Sequence, residues 1–108
     1  MAVTEPHSRI EIYDDCMLAN NIEIRTGDSH SIIDSNTGQK INPAKNVILQ
    51  SHVWVGAHVI ILKRVTISSN SVIGTSSVVT NSIPGNCIAA GIPAKVIKTG
   101  INWKRERF

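Results

Sequence analysis

The sequence predicts an all-β protein whose chain winds as a parallel β-helix, and three observations carry this prediction. Ile and Val supply 27 of the 108 residues and Leu only three, and β-branched side chains favour extended backbone. Aliphatic residues recur at every sixth position in two series, namely Leu49, Val55, Ile61, Ile67, Ile73, Val79 and, earlier, Ile12, Leu18, Ile24. The residue two positions earlier in each repeat is also small or apolar.

Each six-residue repeat is interpreted as one short strand followed by a corner. A six-residue spacing would carry an apolar stripe right around the surface of an α-helix, and a single long strand would not need turns. Alternate side chains of a strand point the same way, so the two apolar positions of each repeat, such as Val53 and Val55, should both point inward. Repeats of this kind stack into a solenoid, here of about three to four coils.

The chain is predicted to form a single domain with four segments. Residues 10–25 hold the first repeats, and residues 47–90 hold the main repeats. The two series are out of phase, and the intervening residues 26–46 are rich in Gly, Asn, Ser and Pro, which predicts an extruded loop. We expect a last strand at residues 87–90, followed by a basic tail, residues 91–108, that ends in a short helix.

The composition excludes several classes of function. The net charge is +3, and one Phe and one Tyr offer little surface for stacking bases, so no nucleic-acid partner is expected. The sequence has no run of about 18 apolar residues for a membrane span, and residues 1–12 lack the apolar stretch of a signal peptide. Cys16 and Cys87 are too few for a disulfide framework, and as buried free thiols they indicate a cytoplasmic protein.

Four segments resemble the bacterial hexapeptide-repeat acyltransferases. Residues 52–56, HVWVG, are similar to their D-H-V-W-I-G segment, and residues 70–80 are similar to N-S-V-I-G-A-G-S-V-V-T. Residues 90–97 are similar to A-G-N-P-A-K-V-I, and residues 26–30 to the stretch before their extended loop. The resemblance covers residues 10–103 and is closest to the galactoside, maltose and capsular-polysaccharide O-acetyltransferase branch.

The resemblance implies a left-handed parallel β-helix in which three repeats complete one triangular coil. Residues one coil apart then return to the same face, so Trp54 should stack on Val72 and Ile60 on Val78, all pointing outward. Outward apolar rows on a small domain suggest a covered surface, and the homotrimer that the resemblance implies would cover them. Scattered surface apolar residues are the alternative.

His30 is the candidate general base. Imidazole titrates near neutral pH, so it can take a proton from a hydroxyl group and return it, and Asp28 could orient the ring. The resemblance implies a cleft between two subunits, where the hydroxyl of a sugar or polysaccharide precursor attacks acetyl-CoA directly, without a covalent enzyme intermediate. An exposed loop histidine is the alternative.

Acetyl-CoA is the implied donor, and its predicted site combines small corner residues with cations. A pantetheine arm must approach backbone amides closely, and the resemblance places it against the amides of Ala57 and Thr75, with Trp54 beside the thioester. Lys95 and Lys98 would contact the nucleotide phosphates, although they could instead be a solvated basic tail, as Trp54 could be trimer packing. The full predicted donor set is Trp54, Gly56, Ala57, Gly74, Thr75, Lys95 and Lys98.

Several residues differ from the family pattern, among them Asn81 and Arg64. Asn81 stands where the family usually has Lys, and Arg64 where it has Gly.

Three other functions stay open. They are N-acetylation of an amino sugar or xenobiotic, a short non-catalytic trimeric β-helix, and zinc-dependent hydration as in the gamma-type carbonic anhydrases. The last would use His52 and His58 with His30, but six residues place His52 and His58 on adjacent faces, where they cannot chelate one ion within a subunit. The surrounding segments also match the acyltransferases better, so no metal is predicted.

Overall fold

The computed structural model describes residues 8–107, which contain eleven strands and no helix. The strands are β1 (Ile10–Ile12), β2 (Met17–Leu18), β3 (Glu23–Ile24), β4 (Val47–Leu49), β5 (Trp54–Val55), β6 (Ile60–Ile61), β7 (Thr66–Ile67), β8 (Val72–Ile73), β9 (Val78–Val79), β10 (Cys87–Gly91) and β11 (Ala94–Thr99). Residues 1–7, part of the stretch in which no signal peptide is predicted, and Phe108 lie outside the described residues. The described part of the chain has no helix long and apolar enough to cross a membrane.

The strands form three sheets, one on each face of the winding chain. The first face carries β1, β4 and β7, the second β2, β5, β8 and β10, and the third β3, β6 and β9, and within each face these strands run parallel. Successive strands visit the three faces in turn, so β1–β9 complete three coils. The fourth coil begins where Ile83 bridges to Ile67 on the first face and continues in β10. The predicted β-helix of three to four coils is therefore confirmed.

The register also confirms the predicted outward stacking. Trp54 pairs with Val72 on the second face, and Ile60 pairs with Val78 on the third. The inward positions form a continuous core, in which Val53, Val55, Ile61 and their equivalents in the second and third coils are buried. The first coil closes one end of this core less completely, since Ile12 and Leu18 are each 37% exposed. Apolar burial of this kind is the main source of stability in such a fold, at about 25 cal/mol for each Å² removed from water.

The corners between strands stack into three edges of the β-helix. The first edge holds residues 13–16, 50–53, 68–71 and 84–86, the second holds 19–22, 56–59 and 74–77, and the third holds 25–46, 62–65 and 80–82. Five successive corners place a residue with left-handed backbone at every sixth position: His52 (φ 61°), His58 (φ 58°), Arg64 (φ 72°), Asn70 (φ 65°) and Ser76 (φ 61°). Asn tolerates this conformation best among residues with a side chain. The left-handed backbone at Arg64 therefore explains why the resembled family usually has Gly at this position.

The predicted loop leaves the third edge and folds on itself. Lys45 N donates to Thr26 O at 2.8 Å and closes the base of the loop, while Ile33 and Lys40 form an antiparallel bridge farther out. The loop therefore contains a small hairpin. The isoleucines that it exposes are Ile32, Ile33 and Ile41, at 54%, 59% and 60% exposure.

The carboxyl-terminal segment differs from the sequence prediction. The last strand starts at Cys87 as expected, but the expected short helix is wrong: β11 pairs antiparallel with β10, and no helix follows it up to residue 107. The tail then turns back along the first edge, where Ile101 N donates to Asn86 O at 2.9 Å and Trp103, only 6% exposed, packs on His52. The physical reason is that β10 offers an open sheet edge to β11, and Trp103 gains burial on the coils.

Candidate functional site

A polar network fixes the base of the loop against the third edge. The carboxylate of Asp28 accepts hydrogen bonds from Lys63 Nζ at 2.7 Å and from Asn42 Nδ2 at 3.0 Å. Asn42 also donates to the backbone carbonyl of His30 at 2.8 Å, and its Oδ1 accepts from Ile32 N at 2.6 Å. We call Asp28, Asn42, Lys63 and the His30 backbone the loop network. It ties the segment that carries His30 to a rigid coil.

The loop network corrects the role expected for Asp28. Among residues 8–107, its carboxylate contacts Lys63 and Asn42 and not the ring of His30, so Asp28 does not orient that ring directly. Its hydrogen bond from Lys63, and then that from Asn42, lower the pKa of Asp28 below its ordinary value, which keeps the carboxylate ionised. Within the described residues, hydrogen bonds link Asp28 through Asn42 to the backbone of His30 and not to its ring.

The side chain of His30 is exposed. Within residues 8–107, its ring makes no hydrogen bond or ion pair. The preceding residue, Ser29, has left-handed backbone, with φ 71°, so the chain turns sharply before the histidine. Both ring nitrogens are consequently open to an incoming molecule, while the backbone is anchored.

Asn42 and Lys63 are residues of the candidate site that the sequence analysis missed. Asn42 is buried, at 6% exposure, and lies on the returning leg of the loop, where its turn-rich surroundings gave no reason to single it out. Lys63 follows the inward position Ile61 by two residues and reads as an ordinary corner lysine. Only the contact between the loop and the third edge brings them to Asp28.

A cleft of about 330 Å³ lies beside the loop network on the third edge. Its lining residues are Asp28, Leu62, Lys63, Arg64, Thr80 and Asn81. Lys63 and Asn81 occupy equivalent corners of adjacent coils, so the cleft spans two coils. The cleft thus lies beside the anchored loop segment that bears His30.

The predicted small residues of the donor set lie on the second edge. A Cβ at Gly56 would come within 2.9 Å of Ile73 O and of Thr75 N, and one at Gly74 within 2.9 Å of the Ala90 Cβ. Close stacking of coils therefore already requires both glycines. Among the described residues, the N–H groups of Ala57 and Thr75 donate to no partner, so both remain available to a ligand.

A β-bulge places both predicted phosphate-binding lysines on one side of the second face. Lys95 lies opposite Ala90 and Lys98 opposite Ile88, with the register shift between these pairs. Without the bulge, residues three apart would point to opposite sides of the strand. Ile88 in turn pairs with Val72, and Val72 with Trp54, so Lys98 continues the outward row that contains Trp54, and Lys95 lies on the same side of the sheet.

Trp54 is 37% exposed and contacts a second tryptophan. Its ring centroid lies 5.9 Å from that of Trp103, which the sequence analysis did not anticipate. The remaining exposed surface is available to a thioester or to another subunit. Trp54 thus packs against the tail, in addition to the two roles predicted for it, namely a place beside the thioester and packing in a trimer.

Of the three histidines of the zinc alternative, His52 and His58 are corner residues and His30 lies on the loop. Nδ1 of His52 lies 2.7 Å from Asp15 Oδ2, and Nε2 lies 2.9 Å from Trp103 O, so both nitrogens are already engaged. In the part of the chain that the structure describes, no three His, Cys, Asp or Glu side chains are grouped to hold a metal ion.

The comparisons with known proteins agree with the fold. A curated polysialic acid O-acetyltransferase of Escherichia coli O1:K1 / APEC is 47% identical over 96 residues, covering 89% of this chain and 31% of that protein. The solved polysialic acid O-acetyltransferase OatWY superposes with a TM-score of 0.85 at 41% identity, covering 94% of this chain and 52% of that one. A galactoside acetyltransferase solved in complex with coenzyme A superposes with a TM-score of 0.72 at 33% identity, covering 83% of this chain and 44% of that one.

These matches cover most of this chain but only part of each relative. The chain spans 31% of the curated polysialic acid enzyme and 52% of the solved one, so it corresponds to a third to a half of their length. No protein-family model matches the chain. The high identity over nearly the whole of this chain, together with the superposition of its coils, leads to one conclusion: the chain is homologous to the hexapeptide-repeat O-acetyltransferases and shares their left-handed parallel β-helix fold.

Proposed function

We propose that this protein transfers the acetyl group of acetyl-CoA to a hydroxyl group of a saccharide, with His30 as the general base. The observation that carries the proposal is that the backbone of His30 is anchored while its ring is open. The His30 backbone is fixed by Asn42, while its ring has no partner among residues 8–107. A base that must meet a substrate needs this combination of a fixed position and open nitrogens.

The proposed reaction is direct transfer. A ring nitrogen of His30 takes the proton of the acceptor hydroxyl as the oxygen attacks the thioester carbonyl carbon. The tetrahedral intermediate then collapses, the carbon–sulfur bond breaks, and the proton passes from the imidazolium to the departing thiolate of CoA. Backbone N–H groups would stabilise the oxyanion of the intermediate, and no covalent bond to the protein forms.

The second edge and second face supply the proposed donor site. The unpaired amides of Ala57 and Thr75 would bind the pantetheine arm, and Trp54 would border the thioester. The bulge in β11 supports this arrangement, because it sets Lys95 and Lys98 on the same side of the sheet as Trp54. Two cations on one side suit the phosphates of CoA.

We also propose that the active unit is a homotrimer. The donor residues Ala57 and Thr75 lie on the second edge, whereas the loop with His30 leaves the third edge. The face between these edges carries the outward apolar pair Ile60 and Val78. A neighbouring copy covering that face would bring its own donor edge to the loop, so that each reaction site is shared by two subunits.

The acceptor and the compartment are further parts of the proposal. The relatives act on polysialic acid and galactosides by their names, so both an acidic and a neutral saccharide are candidate acceptors. The thiols of Cys16 and Cys87 are free, which supports action in the reducing cytoplasm.

The test is a thiol-release assay with acetyl-CoA over a panel of acceptors, combined with calorimetry of CoA binding. The panel holds oligosialic acid, a galactoside, maltose, an amino sugar and an aminoglycoside. Thiol release with a saccharide hydroxyl is expected, and the mass in solution should be that of three chains. Release only with the amines would replace O-transfer by N-transfer. Absence of both CoA binding and thiol release would leave a non-catalytic β-helix.

A further inference from the structure

Arg64 is a cation without a structural partner at the cleft on the third edge. Its side chain is exposed and lines the cleft. Among residues 8–107, the guanidinium makes no hydrogen bond or ion pair, and only its backbone is held, by a bond from Arg64 N to Asn46 O of 3.1 Å. In the described part of the chain, the charged group of Arg64 therefore adds no polar interaction that stabilises the fold.

The backbone of Arg64 adds a second observation. Its φ of 72° lies in the left-handed region, which Gly adopts freely and Asn tolerates, whereas a long side chain raises the energy. The equivalent corner of the next repeat is Asn70, with φ 65°. An arginine at this position raises the energy of the backbone, and within residues 8–107 its guanidinium makes no hydrogen bond or ion pair that would offset the cost.

The charges around the cleft leave a net positive site. Asp28 is the carboxylate among the lining residues, and Lys63 Nζ neutralises it at 2.7 Å. Lys63 also donates to Pro43 O at 3.2 Å, so it is held within the loop network. The remaining lining residues, Leu62, Thr80 and Asn81, carry no charge, which leaves the positive charge of Arg64 uncompensated.

We propose that Arg64 and this cleft form a binding site for an oxyanion, a carboxylate or phosphate group carried by one of the two substrates. The site rests on the proposed acetyl transfer for the identity of those substrates. Arginine suits the role because its planar fork donates two parallel hydrogen bonds to such a group. Thr80 and Asn81 add a hydroxyl and an amide on the adjacent coil.

The position of the site relates it to the reaction. Arg64 directly follows Lys63, which is joined through Asp28 and Asn42 to the backbone of His30. An anion held at Arg64 therefore lies at the foot of the loop that carries the proposed base. The oxyanion can belong to an acidic saccharide acceptor or to the phosphates of CoA, and the two sources are separated by experiment.

The test compares Arg64→Asn with wild type in four calorimetric titrations. The ligands are CoA, pantetheine (which lacks its phosphates), oligosialic acid and maltotriose. Asn suits the left-handed backbone, so the melting temperature should be unchanged or higher, and a loss of binding would not reflect unfolding. Arg64→Lys keeps the charge, and Arg107→Asn removes one charge from the tail outside the cleft.

The expected result is that Arg64→Asn weakens the binding of one anionic ligand by about tenfold or more, while pantetheine and maltotriose are unaffected. Weaker CoA binding assigns the site to the donor, and weaker oligosialic acid binding assigns it to the acceptor. Arg64→Lys should recover part of the affinity. The inference is overturned if Arg64→Asn binds all four ligands like wild type, or if Arg107→Asn weakens binding equally. Failure of the proposed function would instead appear as absence of thiol release by wild type.

Discussion

Two edges of the β-helix each bring a histidine close to an aspartate, and they use the ring in opposite ways. On the first edge, His52 lies between Asp15 and the Trp103 carbonyl, with a hydrogen bond at each nitrogen and its ring stacked on Trp103 at 3.9 Å. On the third edge, the loop network holds the backbone of His30 and leaves its ring alone. The difference separates a histidine that joins segments from one that is available for chemistry.

The first edge works as a clasp for the tail. Trp103 Nε1 donates to His52 O at 2.9 Å, Arg105 forms an ion pair with Asp15, and the Arg105 guanidinium lies 5.2 Å from the Trp103 ring centroid. We call Asp15, His52, Trp103 and Arg105 the tail clasp. It joins the carboxyl-terminal tail to the first and second coils. Both ring nitrogens of His52 are hydrogen-bonded within it, so neither is free to bind a substrate. The edge is therefore structural.

The largest expected effect separates the two histidines by activity. His30→Ala should reduce kcat/KM by about 10²- to 10⁴-fold, because the acceptor proton loses its base, while the melting temperature changes little. His52→Asn, which suits the left-handed corner, should lose less than about tenfold in rate but melt earlier. Thiol release and thermal denaturation of both variants measure this. A His30→Ala enzyme with wild-type turnover would contradict the assignment of the base.

The next effect concerns the stability of the tail clasp. Trp103→Ala should lower the free energy of unfolding by about 3 kcal/mol, because it removes a buried ring, the stack on His52 and a hydrogen bond. Chemical denaturation measures the loss, and Arg107→Ala, an exposed change in the same tail, is the control. Equal stabilities of the two variants would show that the clasp does not hold the tail in solution.

A smaller effect is expected at the loop network. Asn42→Ala removes the hydrogen bonds to His30 O, Ile32 N and Asp28 and should lower kcat by roughly 10- to 100-fold through a misplaced base. The Kd for CoA should change much less than kcat, because Asn42 is not among the predicted donor residues. Steady-state kinetics and calorimetry check this split. A Kd that rises in step with the loss of kcat would mean that Asn42 supports donor binding instead.

The smallest effect is on acid stability. Hydrogen bonds from His52 and then Arg105 lower the pKa of Asp15 below its ordinary value of 3.8. A carboxyl whose pKa is lower in the folded state stabilises the fold above about pH 3.8 and loses that contribution as the pH falls through the lower value. Asp15→Asn should therefore flatten the fall in melting temperature below about pH 4. Parallel pH profiles for wild type and variant would speak against a charged pair in the clasp.

Part of the site could be predicted from the sequence because it follows the repeat. Trp54, Ala57 and Thr75 occupy set positions in six-residue repeats, so their edge and their coil neighbours follow from counting. His30 could be placed on the loop for the same reason, since the loop begins where the repeat stops. The catalytic role of His30 and the donor roles remain predictions.

The contacts that cross between segments could not be predicted. Asn42 meets Asp28 only because the loop returns on itself, and Lys63 meets Asp28 because a coil corner lies beside the loop. Trp103 lies 51 positions from His52, and no local pattern announces that pairing. The helix expected at the end of the tail was wrong for a related reason: residues 94–99 pair with the open edge of β10, and the residues that follow are held by contacts of Ile101 and Trp103 with the first edge.

The sequence by itself determined that this protein forms coils and which side chains line their core, because the six-residue repeat alternates inward and outward side chains; the left-handed winding came from the family resemblance. The tertiary structure alone decided which histidine is engaged and which is open, that Asp28 anchors the loop instead of orienting a ring, and that Arg64 faces a cleft without a partner. The spacing of apolar side chains along the chain decides which of them are buried in the coils. The other contacts depend on where a long loop and a tail lie against the coils.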